Sequence, residues 1–180
     1  GAITAVVDDA TPQLGGDLDT NGSDIVLGGN AGVVVNSAPG ADLTASGDRI
    51  ILTAGEIFAF GGLGYLKVDG KVWEGKADGT EPKSRVWLMA LGTIAADAPG
   101  MFAKPGAIIR NDAWAWTVGG PIYQGITAGE LTQTPQAPSI IAGFAIHADR
   151  MVFLPDVSGA TNWTGTIWGN DQELVRARLT

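Results

Sequence analysis

Residues 106–155 constrain the fold more than any other part of the chain. Apolar runs of two to seven residues recur there, each cut by a pair of turn formers. Ile108-Ile109, Pro121 to Tyr123, Ile140 to Ile146 and Met151 to Leu154 are rich in β-branched and aromatic side chains. Those side chains fit a pleated, half-buried surface better than a helix. Gly119-Gly120, Ala128-Gly129, Pro135 to Pro138 and Ala148-Asp149 separate the runs where a β-protein reverses direction. FAIH and MVF flank only Ala148, Asp149 and Arg150, which predicts a hairpin with a short loop.

The rest of the chain is punctuated in the same way. Glycine and proline together occupy 36 of 180 positions without a collagen period, while 45% of residues are apolar. Such a chain can bury a core, and many turns joining short strands satisfy both facts. An all-β fold is expected, either a small β-barrel or a sandwich.

Residues 56–80 read as three short strands, with Asp69-Gly70 between YLKV and KVWEG as a strong hairpin signal. Ser84 to Leu91 reads as a buried strand, and Ile94 to Phe102 and Ala107 to Arg110 as two more. Residues 56–156 are therefore expected to form a head domain. Its core is expected from Phe58, Phe60, Val86, Leu88, Ile108, Ile122, Ile140, Phe144, Ile146, Val152 and Phe153.

Upstream, GGDLDTNGSDIVL (15–27) and GADLTASGDRIIL (40–52) form an ungapped internal repeat at a spacing of 25. Each copy reads as strand, tight turn and strand, and AGVVVN between them offers a further strand. Periods of this length can signal a solenoid, but two copies do not make a self-sufficient array. Leu18, Ile25, Leu27, Val33, Val35, Leu43, Ile50 and Leu52 are too few to close a core alone. Residues 1–55 are accordingly expected to be a solenoid-like docking module that completes itself by oligomerising through Leu18, Ile25, Leu27, Leu43, Ile50 and Leu52. Residues 157–180, with Trp163 and Trp168, are expected to be a tail packing on a neighbour.

Chemistry-bearing patterns are sparse. Asp17-x-Asp19-x-Asn21-Gly22 copies the first half of a calcium loop, but its twelfth position is Gly28. The second repeat copy replaces Asp19 and Asn21 by Thr44 and Ser46 and keeps the turn glycine, so the repeated feature is the turn. His147 is the sole histidine and there is no cysteine, which excludes thiolate metal sites and leaves no His cluster. No metal, cofactor or catalytic residue is assigned. Gly61-Gly62-x-Gly64 lacks the lysine and helix of a phosphate loop. With a net charge of −8 and 11 basic residues scattered thinly, nucleic acid is not an expected partner. No apolar run approaches 18 residues, so membrane insertion is not expected either. Trp114 and Trp116, two apart, would share one strand face with Val118. With Tyr123 they are candidates for an aromatic interface or a sugar contact.

Two stretches carry a family resemblance. Arg110-Asn111-Asp112-Ala113-Trp114-x-Trp116-Thr117-x-Gly119-Gly120, Ile122-Tyr123, Thr127-Ala128-Gly129-x-Leu131-Thr132-Gln133-Thr134, Gly143-x-Ala145-x-x-Ala148-Asp149 and Phe153-x-Pro155 follow one another in order. Together they resemble the C-terminal module of bacteriophage fibre and other virion structural proteins. At the N-terminus, Asp8-Asp9-x-Thr11-Pro12-Gln13-Leu14-Gly15-Gly16-Asp17-Leu18-Asp19-x-Asn21-Gly22-x-Asp24-Ile25 carries a second resemblance to phage fibres. The resemblance implies a non-enzymatic protein on the virion surface, fibre-type or head decoration. It further implies a homotrimer that contacts other capsid or tail proteins and contributes to host attachment through a surface glycan. A capsid cement protein is the alternative within that class, and a polysaccharide-binding or polysaccharide-degrading spike is the alternative outside it.

Overall fold

The computed structural model describes residues 35–78 and 87–155. The chain divides into two compact units, Gly1–Val34 and Val35–Thr180, and the first lies wholly outside the described residues. Among the described residues eleven strands form two antiparallel sheets, an all-β domain as expected. The six-stranded sheet runs in the order β1 (Thr44–Ser46), β7 (Ile108–Arg110), β11 (Arg150–Phe153), β10 (Ile141–His147), β8 (Pro121–Gln124), β9 (Leu131–Thr132). The five-stranded sheet runs β2 (Arg49–Thr53), β6 (Pro99–Ala103), β5 (Leu88–Ala90), β3 (Leu63–Leu66), β4 (Val72–Glu74).

Turn chemistry places the hairpins where the sequence puts them. Ala148 and Asp149 join β10 to β11, with Phe144 opposite Val152 and His147 opposite Arg150. Asp69-Gly70 lies in the β3–β4 connection, where Gly70 has φ +77°. That loop is wider than a two-residue turn, because the Lys67 amide closes it by donating to the Lys71 carbonyl at 3.0 Å.

Two clusters of buried side chains hold the layers together. The first lies between the sheets, where Leu63, Met89 and Ala103 meet Ile109, Ile122, Ala142, Ala145, Met151 and Phe153. Alternation along β5 and β6 sends the neighbouring residues, Ala90 and Phe102, to the opposite face. There they join Ala54, Phe58, Val72, Leu88 and Ile94 in the second cluster. The centre of the five-stranded sheet is thus buried on both faces, the outer one under segments 54–58 and 94–98 rather than under a further sheet. Backbone bonds hold that cover in place: Phe58 and Ile94 exchange amides and carbonyls at 2.9 and 3.0 Å, and Ala54 forms a parallel bridge with Val72.

The internal repeat has a different structural meaning from the one expected. Its second copy supplies β1 and β2, but these do not pair with each other. β1 pairs with β7 in one sheet and β2 with β6 in the other, so the copy forms neither a hairpin nor a solenoid coil. Gly47 makes the crossing between sheets at φ +120°, and a Cβ there would stand 2.8 Å from the Ala107 Cα. The expected boundary at residue 55/56 therefore does not separate the described contacts, because residues 44–53 are strands of both sheets. The first copy, the Asp17–Asn21 pattern, Val86 and the tail from 157 lie outside the described residues.

Of the expected core, Phe58, Leu88, Ile108, Ile122, Ile140 and Phe153 are buried. Phe60, Ile146 and Val152 are only half-buried, and Phe144 is 40% exposed. For Phe144, Ile146 and Val152 the cause is irregularity in β10, whose register shifts between Ile141 and Gly143 and again between Ala145 and His147. Small alanines at 142 and 145 turn inward, and the larger Phe144 turns outward. Pro121, Phe144, Val152, Ile108 and Ser46 then form one cross-strand row over five strands. Segment 36–39 reaches the Ser46 end of this row: the Asn36 amide donates to Ser46 Oγ at 2.9 Å and Arg110 Nη1 donates to the Pro39 carbonyl at 3.1 Å.

Candidate functional site

Three separate pieces of chain build a cleft beside the first cluster. One is the tight turn Ala59–Gly62, in which Gly61 has φ +82° and its amide donates to the Ala90 carbonyl at 2.8 Å. A second is the loop from Gly125 to Glu130, closed by the Gly125 amide on the Glu130 carbonyl at 2.8 Å. Its Gly129 (φ +72°) donates to the Gly75 carbonyl at 2.9 Å, which ties the loop to the end of β4. The third piece carries the tryptophans.

The segment around Trp114 and Trp116 is not a strand. Asn111 starts it as a turn, its side chain accepting from the Ala113 amide at 2.9 Å and its carbonyl from the Trp114 amide at 3.0 Å. Further on, the Gln133 side chain replaces a partner strand. Its Oε1 accepts from the Thr117 amide at 2.7 Å and its Nε2 donates to the Thr117 carbonyl at 2.9 Å. The two indoles still converge, with ring centroids 5.4 Å apart and planes inclined by 45°. Both rest against the inter-sheet cluster, whereas Val118, expected on the same face, is 60% exposed.

The resulting open cleft has a volume of about 280 Å³. Phe60, Trp114, Trp116 and Leu131 supply its apolar lining, Glu74 and Glu130 its charge, and Ala59, Gly61, Gly62, Ala128 and Gly129 complete it. Burial pushes the Glu74 carboxyl pKa up, and the charge of Glu56 adds to the rise. Glu56 is held close because its Oε1 accepts from the Glu74 amide at 2.6 Å. A Cβ on Gly129 would stand 2.7 Å from Glu74 Oε1, so that loop position admits no larger residue without displacing the carboxylate. Trp116 Nε1 is shielded from solvent and meets no acceptor among the described residues. An unmet buried donor of this kind costs about 1–3 kcal/mol.

The other sequence candidates lie elsewhere. Tyr123 is on β8 opposite Ile141 and Thr132, and the cleft does not include it. Leu43 (φ +53°) is 50% exposed just before β1, and Ile50 is 39% exposed on β2. Leu52 packs against the second core cluster of its own domain. Leu18, Ile25 and Leu27 lie outside the described residues. His147 is exposed and its Nδ1 pairs with Asp149 Oδ1. Burial raises the Asp149 pKa, but the bonds and charges of His147 and Arg150 outweigh it and leave the carboxyl below its ordinary value. Among the described residues, no group of three or more His, Cys, Asp or Glu could hold a metal ion. None of their helices is long and apolar enough to cross a membrane.

Glu74 and Glu130 had no signal in the sequence, being single acids in unrelated segments. Their segments meet through backbone bonds, the Gly129 amide donating to the Gly75 carbonyl and the Ala77 amide to the Gly125 carbonyl at 2.7 Å. No family model matches the chain, and neither the curated proteins nor the solved structures contain a significant match to it.

Proposed function

We propose that this chain is a non-enzymatic bacteriophage virion surface protein, of fibre or head-decoration type, that assembles as a homotrimer. The resemblance of residues 110–155 to phage virion modules carries the reading. Those residues contribute β8 to β11 and the Trp114–Trp116 segment, a continuous part of one sheet and one cleft wall. Exposed apolar side chains support assembly. Ile51 and Met101 sit directly opposite each other at 65% and 40% exposure, and Phe144 stands out on the other sheet. Apolar side chains in adjacent exposed positions are what a subunit interface covers. The parallel bridge at Ala54 and Val72 links the two edge strands of the five-stranded sheet, and supports reading that sheet as a small closed barrel.

Light scattering on the full chain tests the assembly, with a mass near three times 18.5 kDa expected. A monodisperse monomer would refute it. Antibody labelling of intact phage particles then separates head from tail, and absence of label from both ends the virion reading.

A further inference from the structure

The cleft has a charge character that its position in a virion would not explain. Its lining holds two carboxylates, Glu74 and Glu130, and no lysine or arginine. No described cation forms an ion pair with either of them. Glu74 is partly withdrawn from water with Glu56 beside it, so its negative charge meets no compensating cation among the described residues. Two indoles adjoin these acids, and the face of an aromatic ring is the negative end of its quadrupole. Carboxylates and aromatic faces both repel anions and both attract cations. Glycine at 61, 62 and 129 keeps the approach open, and about 280 Å³ limits the guest to a single small ring or a headgroup.

We propose that this cleft binds a small organic cation, its ammonium group drawn by Glu74 and Glu130 and faced by the indoles of Trp114 and Trp116. A neutral ring of the same size meets the apolar lining but gains nothing from the acids. The charge is therefore the discriminating feature. Two chemical sources present such a group: a quaternary headgroup, and a primary amine carried on a sugar ring.

The test is a titration of the full chain, followed by its indole N–H signals in proton–nitrogen correlation spectra. Six tryptophans give six such signals, and Trp114→Phe and Trp116→Phe assign the two of interest. The ligands are choline chloride, glucosamine and its neutral relative N-acetylglucosamine. Choline or glucosamine should shift the Trp114 and Trp116 signals saturably. N-acetylglucosamine should bind at least about tenfold more weakly, a difference of about 1.4 kcal/mol. Tighter choline binding identifies the quaternary source, and tighter glucosamine binding the sugar amine. Glu74→Gln, nearly identical in shape, should weaken either by a similar factor while the remaining spectrum stays in place. Equal affinity for glucosamine and N-acetylglucosamine overturns the proposal, because the cleft would then be reading the ring. Undiminished binding by Glu74→Gln overturns it too, as does the absence of a saturable shift with both cations up to about 10 mM, where binding free energy falls below about 3 kcal/mol.

Discussion

Phe58 sits in no strand, yet much of the outer packing of the five-stranded sheet depends on it. Its side chain is fully buried, and its ring meets Phe102 edge-on with centroids 5.4 Å apart and planes at 89°. Phe58→Ala removes that ring from a site whose walls, Phe102 on β6 and Ile94 on a backbone bridge, are held by hydrogen bonds. Collapse is therefore limited, and the cost should approach the usual range for such truncations, about 3–5 kcal/mol. For a chain of this length each kcal/mol lowers Tm by roughly 2–4 °C, so a fall of about 6–20 °C is expected. Urea unfolding should show a lower midpoint with an unchanged slope, as only the native state has lost packing. A cycle with Phe102→Ala should return a coupling of about 0.5–1.5 kcal/mol from the aromatic pair. A loss below about 1 kcal/mol for Phe58→Ala would falsify the view that segment 54–58 is an integral layer, and would make it a loose cover.

Glycine positions and the cleft acid supply two further checks. Gly143→Ala would drive a Cβ into the Val152 carbonyl oxygen across the hairpin, where backbone faces backbone, so a loss above about 2 kcal/mol is expected. Gly92→Ala meets nothing within 4 Å and should stay within about 1 kcal/mol of the parent, and equal melting shifts for the two would refute the crowding argument. Glu74 has its pKa raised by burial and by Glu56, so the folded state holds its proton to higher pH than the unfolded one, and ionisation above that pKa disfavours folding. Glu74→Gln should accordingly raise Tm at pH 7 by the equivalent of up to about 1 kcal/mol, with the gain vanishing near pH 4. Asp69 and Asp149, whose pKa values are lowered, make both proteins less stable in acid and cancel from that difference. A lower Tm for the variant at pH 7 would mean the carboxylate is compensated after all.

Local chemistry was legible in the sequence and long-range placement was not. β-Branched runs between turn pairs gave β7, β8, β10 and β11, because strand composition and turn residues act within a few positions. Side-chain size does not reveal the inward face of β10. Phe144 reads as core, but two register shifts put Ala142 and Ala145 there instead. A bulge depends on how partner strands fit, which no single run of residues encodes. The tryptophan pair was visible as a spacing, but for the wrong reason. A strand would have aligned Val118 with it, whereas the Gln133 clamp holds an irregular segment that exposes Val118. The cleft acids stayed hidden because Glu74 and Glu130 become neighbours of one cavity only through the fold.

The passage of the chain through Gly47 also decides where this protein can be shortened. Because β1 closes one edge of the six-stranded sheet and β2 one edge of the five-stranded sheet, a cut just before Glu56 would strip both sheets at once. Two rows of unpaired amides and carbonyls, on β7 and β6, would be bared together, and such rows recruit strands from other molecules. Ten residues that look in sequence like the end of an appended module thus act as a guard against aggregation on both layers. A cut made before residue 35 would leave β1 on β7 and β2 on β6.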